Sequence, residues 1–216
     1  MATQPLSYPA RLEIDYPERL SRLTTLVRLI LIIPIAIILG MVTAGSETVT
    51  VTVTETGERI RESGGTSIFA GLFVATGLMI VFRQRYPRWW FEFARELTRF
   101  SARVGAYLVL LTDRYPSTED EQSVHLELDY PDVPRDLNRW LPLVKWLLAI
   151  PHYIVLFVLG VLAFFAVVIA WFAILVTGRY PRGLFDFVVG VGRWSLRVQA
   201  YAFLLLTDRY PPFSTR

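Results

Sequence analysis

The amino-acid sequence predicts an all-α membrane protein made of two parallel repeats, with four membrane-spanning helices. Its composition is the first observation: 53% of the 216 residues are hydrophobic and 19% are charged, against about 45–50% and about 25% in soluble domains. The second observation is a set of long apolar segments, and the third is a series of sequence motifs that occurs twice. Together these observations exclude an ordinary soluble domain.

The apolar segments define the predicted spans. A spanning helix needs about 20 mostly apolar residues. The segment 140–177 has a single formal charge, Lys145, and as one straight helix it would be about twice as long as the hydrocarbon core is thick. We therefore predict that it folds into two helices joined by a tight turn near Gly160. The four predicted spans are 25–44, 67–83, 140–159 and 161–177.

The basic residues predict the orientation of these spans. Of the 22 lysines and arginines, 20 belong to one side: 17 lie before the first span, between the second and third, or after the fourth, and Arg28, Arg83 and Lys145 lie near the ends of spans that face this side. The positive-inside rule assigns this side to the cytoplasm, so both termini are expected to be cytoplasmic in a multi-pass protein of the cell membrane. A single span over 140–177 would leave six arginines of the C-terminal segment outside, which also favours the turn at Gly160.

The repeated motifs divide the chain into residues 1–120 and 121–216. Each repeat is predicted to contain a short strand, two spans and an amphipathic helix, and the strands at 12–16 and 126–130 are expected to pair on the cytoplasmic face. Because each repeat has two spans, both repeats have the same orientation in the membrane. The matched blocks are Leu12–Pro17 with Leu126–Pro131, Ile33–Pro34 with Ile150–Pro151, Arg85–Arg88 with Arg179–Arg182, Arg99–Tyr107 with Arg193–Tyr201, and Leu111–Pro116 with Leu206–Pro211.

One segment occurs in the first repeat alone. In the outer loop 45–65, threonine and valine alternate from Thr48 to Val53, and Thr56–Glu58 offers a turn. Such alternation with period two is typical of a strand, so we predict a small β-hairpin outside the membrane.

Two amphipathic helices are predicted at about 88–111 and 183–206. Helices with one apolar and one charged stripe typically lie in the headgroup plane. Tryptophan is enriched at the same depth. The candidate interfacial anchors are Trp89, Trp90, Trp140 and Trp194.

The duplicated motifs resemble the DUF4389 family of actinobacterial membrane proteins. The resemblance is carried by the pattern L-E-[IL]-D-Y-P, an apolar hairpin, R-Y-P-R, R-x-S-x-R-V-x-A-Y and T-D-R-Y-P. It covers nearly the whole chain except the outer loop. The family has no established biochemical activity. The resemblance therefore implies a membrane location and a repeat architecture, and it transfers no catalytic residues.

No pattern in the sequence indicates an enzyme. The chain has no cysteine and only two histidines, and nucleotide-binding, zinc-hydrolase and serine-hydrolase motifs do not occur, so we expect no cofactor and no metal. His152 lies inside a predicted span and is either functional or bonded to a carbonyl or a headgroup. Asp113 and Asp208 are expected to form local ion pairs with the arginines that follow them.

Paired arginines on the amphipathic helices are the candidate lipid-headgroup residues. Arginine binds phosphate through its planar fork, and basic pockets on the cytoplasmic side bind anionic headgroups. The alternative is a solvated face, or pairing with Glu92, Glu96 and Asp186. The candidates are Arg99, Arg103, Arg193 and Arg197.

Three functions stay open at this point. The first is a noncatalytic scaffold or accessory subunit that works with a protein partner or a second copy of itself. The second is binding of anionic phospholipids through the paired arginines. The third is a small oligomeric transporter or channel. Nucleic acid is not an expected partner, because the basic residues do not form a water-soluble face.

Overall fold

The computed structural model describes residues 8–44, 47–53, 59–65, 68–118 and 122–216. The chain is mainly helical, as predicted. Its elements, in order, are β1 (Ala10–Ile14), α1 (Arg22–Leu31), α2 (Ile33–Ala44), β2 (Glu47–Val53), β3 (Arg59–Gly65), α3 (Ile68–Leu78) with a π-helical turn (Met79–Arg83), α4 (Arg88–Leu108), β4 (Val124–Leu128), α5 (Val133–Asp136), α6 (Pro142–Leu148), α7 (Ile150–Thr177) and α8 (Arg182–Ala202).

Helix α7 is continuous, so the predicted turn near Gly160 is wrong. The break in the segment 140–177 occurs at Ala149, between α6 and α7. Pro151 explains its position, because proline lacks an N–H and disfavours helix at the residue before it. Gly160 carries no such restriction, and one glycine inside a helix costs only about 1 kcal/mol relative to alanine.

Within the described residues, α7 is the one helix that is by itself long and apolar enough to cross a membrane. At about 1.5 Å per residue its 28 residues extend for roughly 42 Å. Helices α1 and α2 pass the same test only as a pair, and the pair is bent by 47°. The break falls at Ile32, two residues before Pro34, which matches the position of the break before α7.

Helices α2 and α3 together occupy the place that α7 has in the second half of the chain. The 12 residues of α2, the 11 of α3 and the five of the π-helical turn equal the 28 of α7. The buried positions also match: Ile32, Ile35, Leu72, Thr76 and Ile80 correspond to Ala149, His152, Ala166, Ala170 and Ile174, and all ten are buried. By comparison with α7, the segment between α2 and α3 is therefore an insertion into a sequence that corresponds to one continuous helix in the second half of the chain.

That inserted segment contains the β-hairpin expected from the alternating threonines and valines. Strands β2 and β3 pair antiparallel, from Glu47 opposite Gly65 to Val53 opposite Arg59. The predicted turn Thr56–Glu58 lies outside the described residues.

Helix α8 runs back along α7. The first half of α7 packs against the second half of α8 through Tyr153 and Leu156 on one side and Val198 and Ala202 on the other. Only four residues connect the end of α7 to the start of α8, so the two helices are antiparallel. The prediction of a helix close to 183–206 is confirmed, and its long contact with α7 was not predicted.

Helix α4 packs on α2 and α3 in the same manner. The beginning of α2, at Ile32 and Ile35, packs against Val104 and Tyr107 near the end of α4. At the other end of α4, the Trp90 Nε1–H donates a hydrogen bond of 2.8 Å to the hydroxyl of Thr76 on α3.

Strands β1 and β4 form a two-stranded antiparallel ribbon, which confirms the predicted pairing. Leu12 lies opposite Leu126, its own counterpart in the repeated motif. The apolar side chains of both strands are buried towards the helices, except for the half-buried Ile14. Strand β1 packs on α8 and β4 on α4, and the alternate positions are exposed. The ribbon therefore covers the faces of α4 and α8 that point away from the apolar helices.

Left-handed backbone conformations occur at two pairs of equivalent positions. Gly178 ends α7 with a φ of 71°, and Gln84 has a φ of 47° at the corresponding position before α4. Leu110 and Leu205 follow α4 and α8 with φ values of 69° and 56°. Glycine adopts this conformation without steric cost, whereas glutamine and leucine do not.

Candidate functional site

Exposed aliphatic and aromatic side chains are numerous on α1, α2, α6 and α7. Soluble monomers seldom expose apolar patches larger than a few hundred Å². We call the following exposed side chains of α1, α2, α6 and α7 the apolar surface: Leu23, Leu26, Ile30, Ile33, Ile37, Ile38, Leu143, Trp146, Leu147, Phe157, Phe164, Phe165, Ile169, Phe172 and Val176.

Two buried cations hold the segments that follow α4 and α8. The guanidinium of Arg28 on α1 forms an ion pair with Asp113 and also donates to the Tyr107 carbonyl at 2.9 Å. Lys145 on α6 lies 2.7 Å from Asp208 and donates to the Thr207 carbonyl at 2.8 Å. The prediction that Asp113 and Asp208 pair with the next arginine in sequence is therefore wrong, because each contacts a cation from a preceding helix.

Arg99 and Arg193 bind the outer edges of the ribbon. The Arg193 side chain donates to the Leu12 carbonyl at 2.8 Å, and the Arg99 side chain donates to the Leu126 carbonyl at 3.4 Å. Arg99 also forms an ion pair with Glu96, one of the predicted alternative partners. A strand edge exposes unpaired backbone groups, so both arginines satisfy carbonyls that β1 and β4 leave open.

Arg103 and Arg197 bind the chain that follows each helix. Arg197 is buried and donates to the carbonyls of Ser214 and Arg216 at 2.7 Å each. Arg103 donates to the Ser117 carbonyl. Burial of Arg197 lowers the pKa of its guanidinium, although the group stays charged at neutral pH.

The four arginines line two basic pockets, one beside each strand of the ribbon. The first has a volume of about 400 Å³ and contains Arg193 and Arg197 together with Arg11 and Arg216. The second has a volume of about 410 Å³ and contains Arg99, Arg103 and Arg114. The acidic side chains in them are Glu13 in the first, and Asp15 and Glu127 in the second. Cations outnumber carboxylates in both pockets.

His152 bonds to a tryptophan rather than to a carbonyl or a headgroup. The Trp194 Nε1–H donates to Nδ1 of His152 at 3.1 Å, which leaves the proton of the neutral ring on Nε2. The imidazole is fully buried and stacks on Phe213, with ring centroids 4.0 Å apart. Its contact with the C-terminal segment was not foreseen, because no local pattern links residues so far apart in sequence.

The four candidate tryptophan anchors differ in their exposure. Trp89 and Trp140 are 66% and 65% exposed, as an interfacial anchor requires. Trp90 is partly buried through its bond to Thr76. Trp194 is buried beside His152 and does not reach the surface, so it cannot act as an anchor. Within the described residues, no group of three or more potential ligands could hold a metal ion.

These features define a helical protein with an apolar surface on α1, α2, α6 and α7 and a charged ribbon packed on α4 and α8. Residues 140–215 match the model of the family DUF4389, which is described as a domain of unknown function. The match spans α6, α7, α8 and the segment after them, and it supports the resemblance to that family in this part of the chain. No curated protein and no solved structure matches the chain.

Proposed function

We propose that this chain is a noncatalytic membrane protein that acts as a scaffold or accessory subunit on the cytoplasmic side of the cell membrane. The observation that carries the proposal is the apolar surface, because aromatic and aliphatic side chains in such numbers require lipid or protein contact. The charged ribbon is the part available to a water-soluble partner.

The position of the ribbon indicates the orientation of α7 relative to the membrane plane. Ala163, near the middle of α7, lines one cavity together with Leu12 and Leu126 at the centre of the ribbon. If α7 crossed the membrane upright, the exposed charges of the ribbon would lie near the bilayer midplane, where each costs about 2.5–3.5 kcal/mol on insertion scales. We therefore place α7 along one leaflet, with its apolar side in lipid and the ribbon in water.

Spin labels on α7 test this placement. Because the chain has no cysteine, single cysteines at Phe157, Phe165 and Phe172 can each be labelled cleanly. All three positions are exposed and lie close to one face of the helix, since they are seven or eight residues apart. For the protein in lipid vesicles, we expect equal depths by electron paramagnetic resonance. A label at Phe165 that is about 10 Å deeper than the other two would indicate that α7 crosses the bilayer instead.

The predicted spans 25–44 and 67–83 require a separate test. A cysteine at Thr56, inside the outer loop, can be labelled with a membrane-impermeant maleimide in sealed vesicles of known orientation. Labelling only from the side opposite the ribbon would support the two crossings in the first repeat. Labelling from the same side as a cysteine at Glu127 would contradict them.

The partner itself can be sought by native mass spectrometry of protein extracted gently from its own membrane. A second protein in fixed stoichiometry is the result expected for an accessory subunit. A chain that is always recovered alone would contradict this role and leave the membrane placement standing.

The two basic pockets favour a second candidate function, which is binding of anionic phospholipid headgroups. They lie at equivalent positions of the repeated motifs, and both are rich in arginine. Changing Arg103 and Arg197 to glutamine should lower retention of phosphatidylglycerol relative to phosphatidylcholine about tenfold. The matched control changes Arg135 and Arg139, both exposed and outside the pockets, to glutamine. Equal retention in the two double variants would contradict headgroup binding.

A further inference from the structure

We propose that the cavity between α4 and α8 holds one acyl chain of an anionic membrane phospholipid. The cavity has a volume of about 410 Å³, which is within the range of sites for small ligands. It lies beneath the ribbon, with Leu12 and Leu126 at its roof and Ala163 of α7 among its other lining residues. This inference rests on the proposed membrane attachment, because the bilayer supplies the ligand.

The lining of the cavity, whose polar side chains are Thr98, Ser101, Ser195 and Gln199, favours a hydrocarbon occupant over water. Most of its lining side chains are apolar. The hydroxyls of Thr98 and Ser101 donate to the carbonyls of Ala94 and Leu97 in their own helix, at 2.7 and 2.8 Å. Water enters a cavity when several polar groups remain to be satisfied. An empty apolar cavity is destabilising in proportion to its volume, so a hydrocarbon chain fits this space best.

The central cavity adjoins a second cavity that reaches the apolar surface. A neighbouring cavity of about 500 Å³ shares Ser195 and Gln199 with it. This second cavity is lined by Phe157 and Phe203, which are 74% and 46% exposed. Phe157 belongs to the apolar surface, so we infer that a chain from the surrounding lipid enters the central cavity past Ser195 and Gln199.

The basic pockets indicate where the head of the same lipid binds. Each pocket shares one leucine with the central cavity, Leu12 for the first and Leu126 for the second. A chain in the cavity thus ends close to arginines on either side of the ribbon. The excess of positive charge in both pockets complements the phosphate of an anionic phospholipid, which favours a lipid over an apolar peptide as the occupant.

Glycine positions offer a cavity-filling variant with a matched control. Gly105 lines the cavity, and a Cβ atom built on it meets no atom within 4 Å. In the Gly105→Leu variant, the new side chain should fill part of the cavity. Gly160 has the same free space and a helical backbone but does not line the cavity, so Gly160→Leu is the control. Ala102→Leu, also at the cavity wall, is a second filling variant.

The test uses the full chain, purified in detergent and stripped of lipid, with palmitoyl-oleoyl phosphatidylglycerol as the probe in native mass spectrometry. We expect one lipid per chain for the wild type and for Gly160→Leu, and at least tenfold weaker binding for Gly105→Leu. Circular dichroism verifies that each variant is folded. If Gly105→Leu does not fold, Ala102→Leu is used in its place.

Three outcomes would overturn the proposal. Folded filling variants could bind the lipid as tightly as the wild type does, or the wild type could bind none. A concentration-dependent dimer that Gly105→Leu abolishes would show that a second copy fills the space. The depths of the α7 spin labels distinguish these failures from failure of the membrane placement, since that placement does not depend on the cavity.

Discussion

Lys145 and Arg28 are the residues whose surroundings differ most from what their sequence context indicates. Both lie in apolar segments, and both are buried against a carboxylate, Asp208 or Asp113, more than 60 positions away. Proximity in sequence, which is the only local signal, predicts that each aspartate pairs with its neighbouring arginine. The repeated motifs held a better signal, since a cation and an aspartate recur at equivalent positions in both halves.

Removing one partner of the second pair should be strongly destabilising. Asp208→Asn leaves the fully buried Lys145 without its counter-ion, which typically costs about 3–5 kcal/mol. Because the Asp208 side chain is itself 22% exposed, we expect a loss near 3 kcal/mol in the free energy of unfolding, measured by denaturant titration in detergent. Asp186→Asn, at an exposed position on α8, is the control. The double variant Lys145→Met/Asp208→Asn should recover part of the loss, and an unchanged single variant would contradict this account.

The buried tyrosine before α4 predicts a loss of stability at alkaline pH. Burial raises the pKa of Tyr86 from its ordinary value of 10.0 to about 12. A raised pKa means that the folded state favours the protonated phenol, so its contribution is complete below pH 10 and is lost as the pH rises towards 12. Two pH units correspond to about 2.7 kcal/mol. Melting temperatures between pH 9 and pH 12 should fall less steeply for Tyr86→Phe than for the control Tyr115→Phe. Parallel profiles would contradict the prediction.

At the scale of secondary structure, the insertion between α2 and α3 makes a sharp prediction. Deleting residues 45–67 joins Ala44 directly to Ile68, and the result has the length of α7. We expect the shortened protein to fold with a similar melting temperature, because the buried faces of α2 and α3 keep their relation to each other. Circular dichroism and thermal unfolding in detergent measure this.

A deletion that is one residue shorter is the matched control. Deleting 46–67 retains Gly45 and rotates α3 by about 100° relative to α2, since each helical residue turns by that angle. Leu72 and Ile80 would then leave the buried face, and the melting temperature should drop. Equal stability of both deletions would show that α2 and α3 do not form one interrupted helix.

A comparison of the strands and of α7 with the sequence shows which elements could be predicted from local patterns. Alternation with period two located β2, and the repeated L-E-[IL]-D motif was enough to pair β1 with β4. The predicted turn at Gly160 is wrong, because that prediction compares all 38 residues of 140–177 with the bilayer thickness as one unit. Pro151 divides that segment into α6, a helix of seven residues, and α7, a helix of 28 residues. Because α7 is shorter than the whole segment, no turn at Gly160 is needed.

The molecule as a whole could not be assembled from the sequence in the same way. The spacing of four residues within each arginine pair indicates one helical face, but the contacts of Arg99 and Arg193 with the ribbon carbonyls of Leu126 and Leu12 depend on how separate halves pack. The same is true of His152 and Phe213. Packing between distant segments has no periodic signature, and the apolar character of α8 alone did not indicate that it lies along α7.

The register of the ribbon leads to a prediction about the isolated second half. Leu126 pairs with its own counterpart Leu12, so two copies of β4 can form the same ribbon around a two-fold axis. We expect residues 121–216, expressed alone in detergent, to form a dimer by native mass spectrometry. Glu127→Pro should abolish the dimer, because Glu127 lies at a hydrogen-bonded position of the ladder, two residues from the bond between Asp129 and Pro9, and proline removes its backbone donor. A folded monomer would contradict the prediction, and Leu143→Pro, near the start of α6 and outside the ribbon, is the control.

The left-handed positions before α4 and α8 have a practical consequence for protein engineering. Gln84 and Gly178 adopt the same unusual backbone conformation at equivalent sites, so one half of the chain serves as a naturally occurring variant of the other. Exchanges between halves, such as Gln84→Gly or Lys145→Arg, are substitutions that this fold already accommodates elsewhere. The residues at equivalent positions of the two halves therefore indicate which substitutions the fold tolerates.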